Sequence, residues 1–219
     1  MPRKKKATQK KNNQSSNNVE FIDHPLIHHK LSLLRGGDLS TSKYYALAKE
    51  IGMFLGFVMT RNLVLSRGTR QSPLSPDVTK KPVVVAMLRS GLVLSEGFKD
   101  VSPSVRIGHL GLYKKDDGES AVYLASLPDL DNRPVIILDM NITTGSTAIK
   151  AISLIKEHQN ATCFNPKSIS YGCVTATQEG VRKVCMEHKD VILFLVTDQA
   201  SAKEGEFGYF SKKIFGLVE

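Results

Sequence analysis

Residues 135–156 contain the side chains of this 219-residue chain that are best suited to chemistry. They predict an apolar strand, then the acid Asp139, a loop of hydroxyl side chains and glycine, and an amphipathic helix. A helix start offers free backbone N–H groups and the positive end of the helix dipole, so it attracts anions. Gly145 allows a close backbone approach to a ligand. The loop hydroxyls belong to Thr143, Thr144, Ser146 and Thr147. The segment is therefore predicted to bind a phosphate group.

Asp139 suits a different part of the same ligand, because a carboxylate repels phosphate but binds sugar hydroxyls or a cation. A phosphorylated sugar would satisfy both halves of the segment. The chain contains neither a Gly-x-x-x-x-Gly-Lys-Ser/Thr loop nor a Gly-x-Gly-x-x-Gly run after a strand, which disfavours nucleotide hydrolysis and dinucleotide binding. The alternative is an ordinary strand-to-helix turn that threonines cap.

Composition favours one α/β domain with a sizeable core, since 41% of the residues are hydrophobic. No apolar run approaches the ~20 residues of a membrane-spanning helix, and the N-terminus has no signal-peptide core. The three cysteines form no C-x-x-C pair and predict reduced thiols. We expect a cytoplasmic protein, with access to the nucleus left open.

More than half of the net charge of +9 lies in residues 1–20, which carry six basic side chains and one acid, Glu20. This segment is rich in Asn, Gln, Ser and Lys, so it is predicted to be a disordered basic tail. Weak contact with RNA is a further possibility for the tail. Residues 21–219 are predicted to form the folded domain.

Apolar runs predict five strands, at residues 83–88, 105–113, 135–138, 168–174 and 191–197. Helical patterns near 92–99, 146–158 and 178–188 alternate with them, which indicates a mostly parallel five-stranded sheet flanked by helices. Ligands bind beyond the carboxyl ends of such strands, where loops containing Arg89, Lys114 and Asp139 are expected to meet. Upstream, Ser40 or Thr41 should cap a helix that ends near Arg61, whose apolar side could pack on a second subunit.

Several short motifs, taken in order, resemble the uracil phosphoribosyltransferases, a type I phosphoribosyltransferase family. They are His24-Pro-Leu-Ile-His-His-Lys-Leu31, Met87-Leu-Arg-Ser-Gly-Leu92, Gly108-His-Leu-Gly-Leu-Tyr113, residues 139–147 and Ile214-Phe-Gly216. The resemblance covers residues 21–219. It implies the type I fold, with an N-terminal helical hood and a flexible hairpin at residues 114–127. It also implies transfer of ribose 5-phosphate from phosphoribosyl diphosphate (PRPP) to uracil, giving UMP and diphosphate, in a homodimer or higher homo-oligomer.

The resemblance implies a role for each matching residue. Arg89 would grip the diphosphate, although an arginine can also serve in a surface ion pair. Lys114 stands where the family usually has arginine and would contact PRPP. Asp139 would hold the ribose hydroxyls. The remaining PRPP-binding residues would be Met140, Asn141, Ile142, Thr143, Thr144, Gly145, Ser146 and Thr147. Magnesium would arrive with PRPP, without a metal cage of protein ligands.

The C-terminal segment departs from the family pattern. Gly208, Tyr209 and Phe210 occupy the implied uracil-binding positions, but Tyr209 stands where the family has an aspartate, and the family's proline is absent. Two hypotheses therefore remain. The chain is either an active phosphoribosyltransferase with an altered base loop, or a non-catalytic relative that binds PRPP or a nucleotide as a sensor.

Overall fold

A seven-stranded sheet forms the centre of the protein, in the strand order β1-β7-β6-β5-β2-β3-β4. The computed structural model describes residues 18–36, 39–63, 81–116, 118–130, 133–160 and 169–196. The strands are β1 (Val19–Phe21), β2 (Val83–Leu88), β3 (Arg106–Lys114), β4 (Ser120–Ser126), β5 (Val135–Ile142), β6 (Ile169–Ala176) and β7 (Ile192–Leu195). All neighbours are parallel except β3 and β4, which form an antiparallel hairpin.

Helices cover both faces of this sheet. The helices are α1 (Pro25–Arg35), α2 (Thr41–Thr60), α3 (Gly91–Val101), α4 (Ser146–Asn160) and α5 (Gln178–Glu187). One buried apolar cluster joins α1, α2 and α3 to one face, and a second cluster joins α4 and α5 to the other. Ser40 caps α2, as predicted, by accepting a hydrogen bond from the Lys43 N–H at 3.4 Å. The predicted α/β class with a mostly parallel sheet is confirmed.

The sheet contains two edge strands, β1 and β4, in addition to the five strands that the apolar runs predict. The strand β1 is only three residues long and pairs with β7, and β4 is an exposed edge strand. Val19 and Glu20, at the end of the predicted tail, lie in β1. Glu20 also forms an ion pair with Arg61 at 2.6 Å. Residues 1–17, which contain the rest of the tail, lie outside the described part of the chain.

The helix α2 buries most of its apolar side against other elements of the same chain. Ile51 and Leu55 are fully buried, and α3 packs so closely that a Cβ on Gly52 would lie 2.3 Å from the Leu94 carbonyl oxygen. Phe57 is the exception, with 63% of its surface exposed. Among the described residues, we find no helix that is both long enough and apolar enough to span a membrane.

Candidate functional site

A cavity of about 220 Å³ opens at the carboxyl edge of the sheet, between β2 and β5. From β2 the chain moves to β3 on one side, whereas β5 leads to β6 and β7 on the other, so the strand order reverses here. Such reversal points are where open α/β sheets bind ligands. The lining residues are Ser90, Asp139, Asn141, Ile142, Thr143, Thr144, Gly145, Thr147 and Ala148.

The hydroxyl-rich loop at residues 143–145 joins β5 to the start of α4. Gly145 has a φ of +82°, which an L side chain rarely adopts, and its carbonyl accepts the Ile149 N–H at 2.9 Å. The first turn of α4 therefore begins directly after the loop and directs its free N–H groups to this edge of the sheet. We call residues 143–147 the phosphate loop, because hydroxyl groups and a helix start together suit a phosphate.

The start of α5 holds the phosphate loop in place from behind. Thr177 caps α5 by accepting the Gly180 N–H at 2.9 Å, and its hydroxyl donates to the Thr143 carbonyl oxygen at 2.6 Å. A Cβ on Gly180 would lie only 2.1 Å from that same carbonyl oxygen. The loop conformation thus depends on a helix that follows a different strand.

The β3–β4 hairpin touches the phosphate loop from the other side. Lys114 Nζ donates to Thr144 Oγ1 at 2.9 Å, and Ser120 Oγ lies 3.4 Å from Thr147 Oγ1. The hairpin turns at Gly118, whose φ is +84°. An ammonium group therefore lies beside the hydroxyls that would receive a phosphate, where it adds a positive charge to the site.

Asp139 is a buried carboxylate in the wall of the cavity, with 8% of its surface exposed. One carboxylate oxygen accepts the Ser90 hydroxyl at 2.6 Å and the Met140 N–H at 2.7 Å, and the other accepts the Tyr171 hydroxyl at 3.1 Å. Burial raises the pKa of Asp139 above its ordinary value, and these hydrogen bonds act in the opposite direction. The remaining acceptor positions of an ionised Asp139 can bind hydroxyl groups of a ligand.

Comparison with known proteins identifies the family. A sequence model for uracil phosphoribosyltransferase matches residues 21–206. The chain belongs to the uracil phosphoribosyltransferase family. It is 37% identical to the uracil phosphoribosyltransferase of Burkholderia multivorans over 185 residues. This aligned region covers 82% of this chain and 84% of that protein. The chain is 36% identical over 184 residues to that of Staphylococcus epidermidis, covering 81% and 85%.

A solved structure of the AQ2163 protein from Aquifex aeolicus has a similar fold. Its TM-score is 0.77 with 25% sequence identity, and the match covers 91% of this chain and 99% of that protein. The match extends over nearly the whole chain, so the likeness includes the N-terminal helices as well as the sheet.

The structure brings most of the predicted site residues of this family member to one edge, with three qualifications. The Met140 side chain is fully buried in the core beneath α1, α2 and α3, so only its backbone faces the site. Arg89 is exposed in the turn after β2, next to the cavity residue Ser90, and the Leu88–Arg89 peptide bond is cis. The predicted base-binding residues, Gly208, Tyr209 and Phe210, lie outside the described residues.

Sequence reasoning assigned no role to several residues that contact Asp139 or the phosphate loop, namely Ser90, Ser120, Tyr171 and Thr177. Tyr171 and Thr177 lie on or after β6, which looks like a plain buried strand in the sequence. The Thr-x-x-Gly run that begins at Thr177 is an ordinary helix cap, and nothing in it predicts the second contact with Thr143. Only the pairing of β6 with β5 reveals both contacts.

Proposed function

We propose that this chain binds PRPP in the cavity between β2 and β5 and transfers its ribose 5-phosphate to uracil, giving UMP and diphosphate. The observation that carries the proposal is the placement of a buried carboxylate, Asp139, and a phosphate loop in the walls of one cavity. Membership of the uracil phosphoribosyltransferase family supports uracil as the base.

Each part of PRPP has a complementary part of the site in this proposal. The 5-phosphate binds the phosphate loop and the start of α4, where hydroxyls and backbone N–H groups converge. The ribose hydroxyls donate to Asp139. The diphosphate extends toward Arg89 and Lys114, whose charges favour its departure. Arg89 supplies a planar pair of donors, whereas Lys114 acts as a single mobile charge.

The reaction is a displacement at the anomeric carbon of the ribose. The bond from that carbon to the diphosphate oxygen breaks, and a bond to a uracil nitrogen forms through a positively charged, oxocarbenium-like transition state. The proton of that nitrogen passes to the leaving diphosphate or to water. The protein contributes mainly by positioning the two reactants and by excluding water. The β3–β4 hairpin is placed to close over the site, because its strands end beside the phosphate loop.

The residues of the site fit a magnesium ion that arrives on PRPP. In the part of the chain that the structure describes, no group of three or more His, Cys, Asp or Glu side chains is placed to hold a metal ion. The diphosphate and ribose oxygens of PRPP would supply the ligands of the ion, and Asp139 in the cavity wall would accept the ribose hydroxyls rather than bind the metal. Magnesium would neutralise charge on the leaving diphosphate.

A non-catalytic PRPP or nucleotide sensor is the second candidate function. It is favoured by one observation, which is that Tyr209 occupies the position of the family's aspartate in the base loop. Both functions place the ligand in the same cavity, and only the first of them includes turnover.

PRPP binding can be tested by calorimetry with PRPP and magnesium on the full chain. Arg89→Ala should weaken binding by about a hundredfold or more, in line with the loss of a charge-assisted, bidentate contact. Arg106→Ala is the matched control, because Arg106 is an exposed arginine at the opposite end of β3. Equal affinity of the wild type and Arg89→Ala for PRPP would show that the diphosphate does not bind at the Arg89 turn.

We also propose a homo-oligomer. The outer face of the hairpin exposes large apolar side chains, with Tyr113 at 52% and Tyr123 at 56% exposed, and Phe57 on α2 adds another. Light scattering coupled to size exclusion should give at least twice the chain mass of 24.1 kDa. A monomer at micromolar concentration would contradict this part of the proposal.

A further inference from the structure

Ser90 occupies the N-cap position of α3 but does not cap the helix. A serine at this position usually accepts a hydrogen bond from an N–H in the first turn, which stabilises the helix. Ser90 has helical backbone angles (φ −64°, ψ −32°) and makes no such bond. Its hydroxyl instead donates to an Asp139 carboxylate oxygen at 2.6 Å. Its hydrogen-bonding capacity is therefore directed to the site rather than to its own helix.

Tyr171 donates to the other oxygen of Asp139 from the opposite side. Its side chain is fully buried among the apolar residues beneath α4 and α5, and its hydroxyl lies 3.1 Å from that oxygen. In the β5–β6 register Tyr171 is opposite Ile137, and Cys173 is opposite Asp139. Tyr171 is thus a diagonal neighbour of Asp139 on the same face, within reach of a long side chain.

Two hydroxyl groups from two different strand–loop units therefore fix both oxygens of one buried carboxylate. Burial favours the neutral acid, whereas donors to the carboxylate favour its charged form. Tyr171 and Cys173 are its titratable neighbours in the described part of the chain, and burial together with the charge of Asp139 raises the pKa of both. Both are therefore neutral near pH 7, and hydrogen bonds rather than a nearby cation oppose the effect of burial.

We propose that Ser90 and Tyr171 are positioning residues that keep the Asp139 carboxylate ionised and oriented into the cavity. Their effect on PRPP rests on the proposed function, because an ionised Asp139 accepts hydrogen bonds from ribose hydroxyls more strongly than the protonated acid does. Their effect on Asp139 itself does not depend on that function.

The Ser90 contact also connects the two loops that would hold opposite ends of the substrate. Ser90 directly follows Arg89, and Asp139 lies four residues before the phosphate loop. The start of α3 lies so close to β5 that a Cβ on Gly91 would be 2.2 Å from the Leu138 carbonyl oxygen. The hydrogen bond and this close packing together fix the position of the Arg89 turn relative to Asp139.

The direct test is a carbon-13 NMR titration of the aspartate carboxyl groups in the ligand-free protein, with Asp139→Asn used to assign the resonance. Ser90→Ala and Tyr171→Phe should each raise the pKa of Asp139 further, and the double variant should raise it most. Ser90→Thr, which keeps the hydroxyl, should restore the wild-type titration. An unchanged titration of Asp139 in both single variants would overturn the proposal.

Two control variants remove the same groups elsewhere. Ser95→Ala deletes a buried hydroxyl on α3 that donates to the Leu92 carbonyl oxygen, and Tyr44→Phe alters a buried tyrosine in the core on the other face of the sheet. Neither should move the Asp139 titration. If Tyr171→Phe does not fold, the Ser90 variants alone decide the question.

Calorimetry with PRPP and magnesium across pH then tests the consequence for the substrate. Each hydroxyl deletion should weaken PRPP binding about tenfold at pH 6 and less at pH 8.5, because higher pH restores the charge of Asp139. If the Asp139 titration changes in these variants but PRPP binding does not, the role of Ser90 and Tyr171 in substrate binding is refuted, and their effect on Asp139 still stands. A wild type that titrates as expected but binds no PRPP would refute the proposed function instead.

Discussion

Asp139 illustrates, at the scale of single residues, how the site is built at the expense of stability. A buried carboxylate whose pKa is raised binds a proton more tightly in the folded protein than in the unfolded chain. Its contribution to folding is therefore present at acidic pH and is lost as the pH rises through the pKa of the folded state. Near neutral pH, an ionised Asp139 lowers the stability of the folded protein, but it provides the acceptor for the ribose hydroxyls of PRPP.

Asp139→Asn should separate these two effects. The amide has nearly the same shape and can keep hydrogen bonds to Ser90 and Tyr171, but it carries no charge to desolvate. We expect the melting temperature at pH 7.5 to be equal to or higher than that of the wild type, while PRPP affinity falls by about a hundredfold or more. Thermal unfolding and calorimetry on the same sample measure both. A stability loss together with unchanged PRPP affinity would contradict the assigned role.

His188 should make stability depend on pH in the opposite direction. Its ring is buried against α4, with one nitrogen 3.1 Å from the Ile149 carbonyl oxygen and the other 3.3 Å from Lys156 Nζ. Burial lowers its pKa below the ordinary 6.5, so the folded protein keeps the ring neutral. This stability is present above pH 6.5 and is lost as the pH falls toward the lowered pKa, because the unfolded chain binds the proton first.

We therefore expect the melting temperature of His188→Gln to fall less between pH 7.5 and pH 5.5 than that of the wild type. His158→Gln is the matched control, since His158 is an exposed histidine on α4 and should behave like the wild type. Identical pH dependence in wild type and His188→Gln, measured by circular dichroism, would refute the assignment.

At the scale of helices and strands, close packing between α5 and the phosphate loop fixes the position of the loop. The loop follows β5, but its rear surface is the first turn of α5, which follows β6. Gly180 is the contact point, because a Cβ there would overlap the Thr143 carbonyl oxygen. The loop therefore moves only if α5 moves with it.

Gly180→Ala should weaken PRPP binding by at least about tenfold and lower stability by about 1–3 kcal/mol, as overpacking in a close contact does. The control is Gly56→Ala on α2, where the added Cβ would meet its nearest neighbour at an ordinary 3.5 Å. That change should stabilise the helix by up to about 1 kcal/mol. If both variants bind PRPP like the wild type, the contact with α5 does not shape the loop.

The contribution of strand β1 to stability can be tested by truncation. Removing residues 1–17 should leave the melting temperature unchanged, since β1 and its pairing with β7 remain. Removing residues 1–21 deletes β1 and the Glu20–Arg61 ion pair, and should lower the melting temperature by several degrees. Differential scanning calorimetry distinguishes the two. Equal stability of both truncated chains would show that β1 adds nothing to the fold.

At the scale of the whole molecule, the strand order places the site. The chain leaves β2 on one side and β5 on the other, so the loops after these strands face each other across a gap. Sequence reasoning predicts this edge well, because the interior strands are continuous apolar runs and the loops after them are rich in polar side chains.

Other features could not be predicted for identifiable physical reasons. β1 is a three-residue strand beside a polar segment, and only its pairing with β7 reveals it. β5 runs to Ile142 rather than ending before Asp139, because β6 continues beside it to Ala176. The contacts of Ser90 and Tyr171 with Asp139 depend on strand register and helix placement, which one sequence does not specify.

The reaction that we propose for this cavity is the transfer of ribose 5-phosphate from PRPP to uracil. The most direct measurement is to incubate the purified full chain with PRPP, magnesium and radiolabelled uracil and to follow labelled UMP, with Asp139→Asn as the inactive control. We predict UMP formation by the wild type and little or none by Asp139→Asn. PRPP binding without any UMP from the wild type would contradict the claim and favour the sensor.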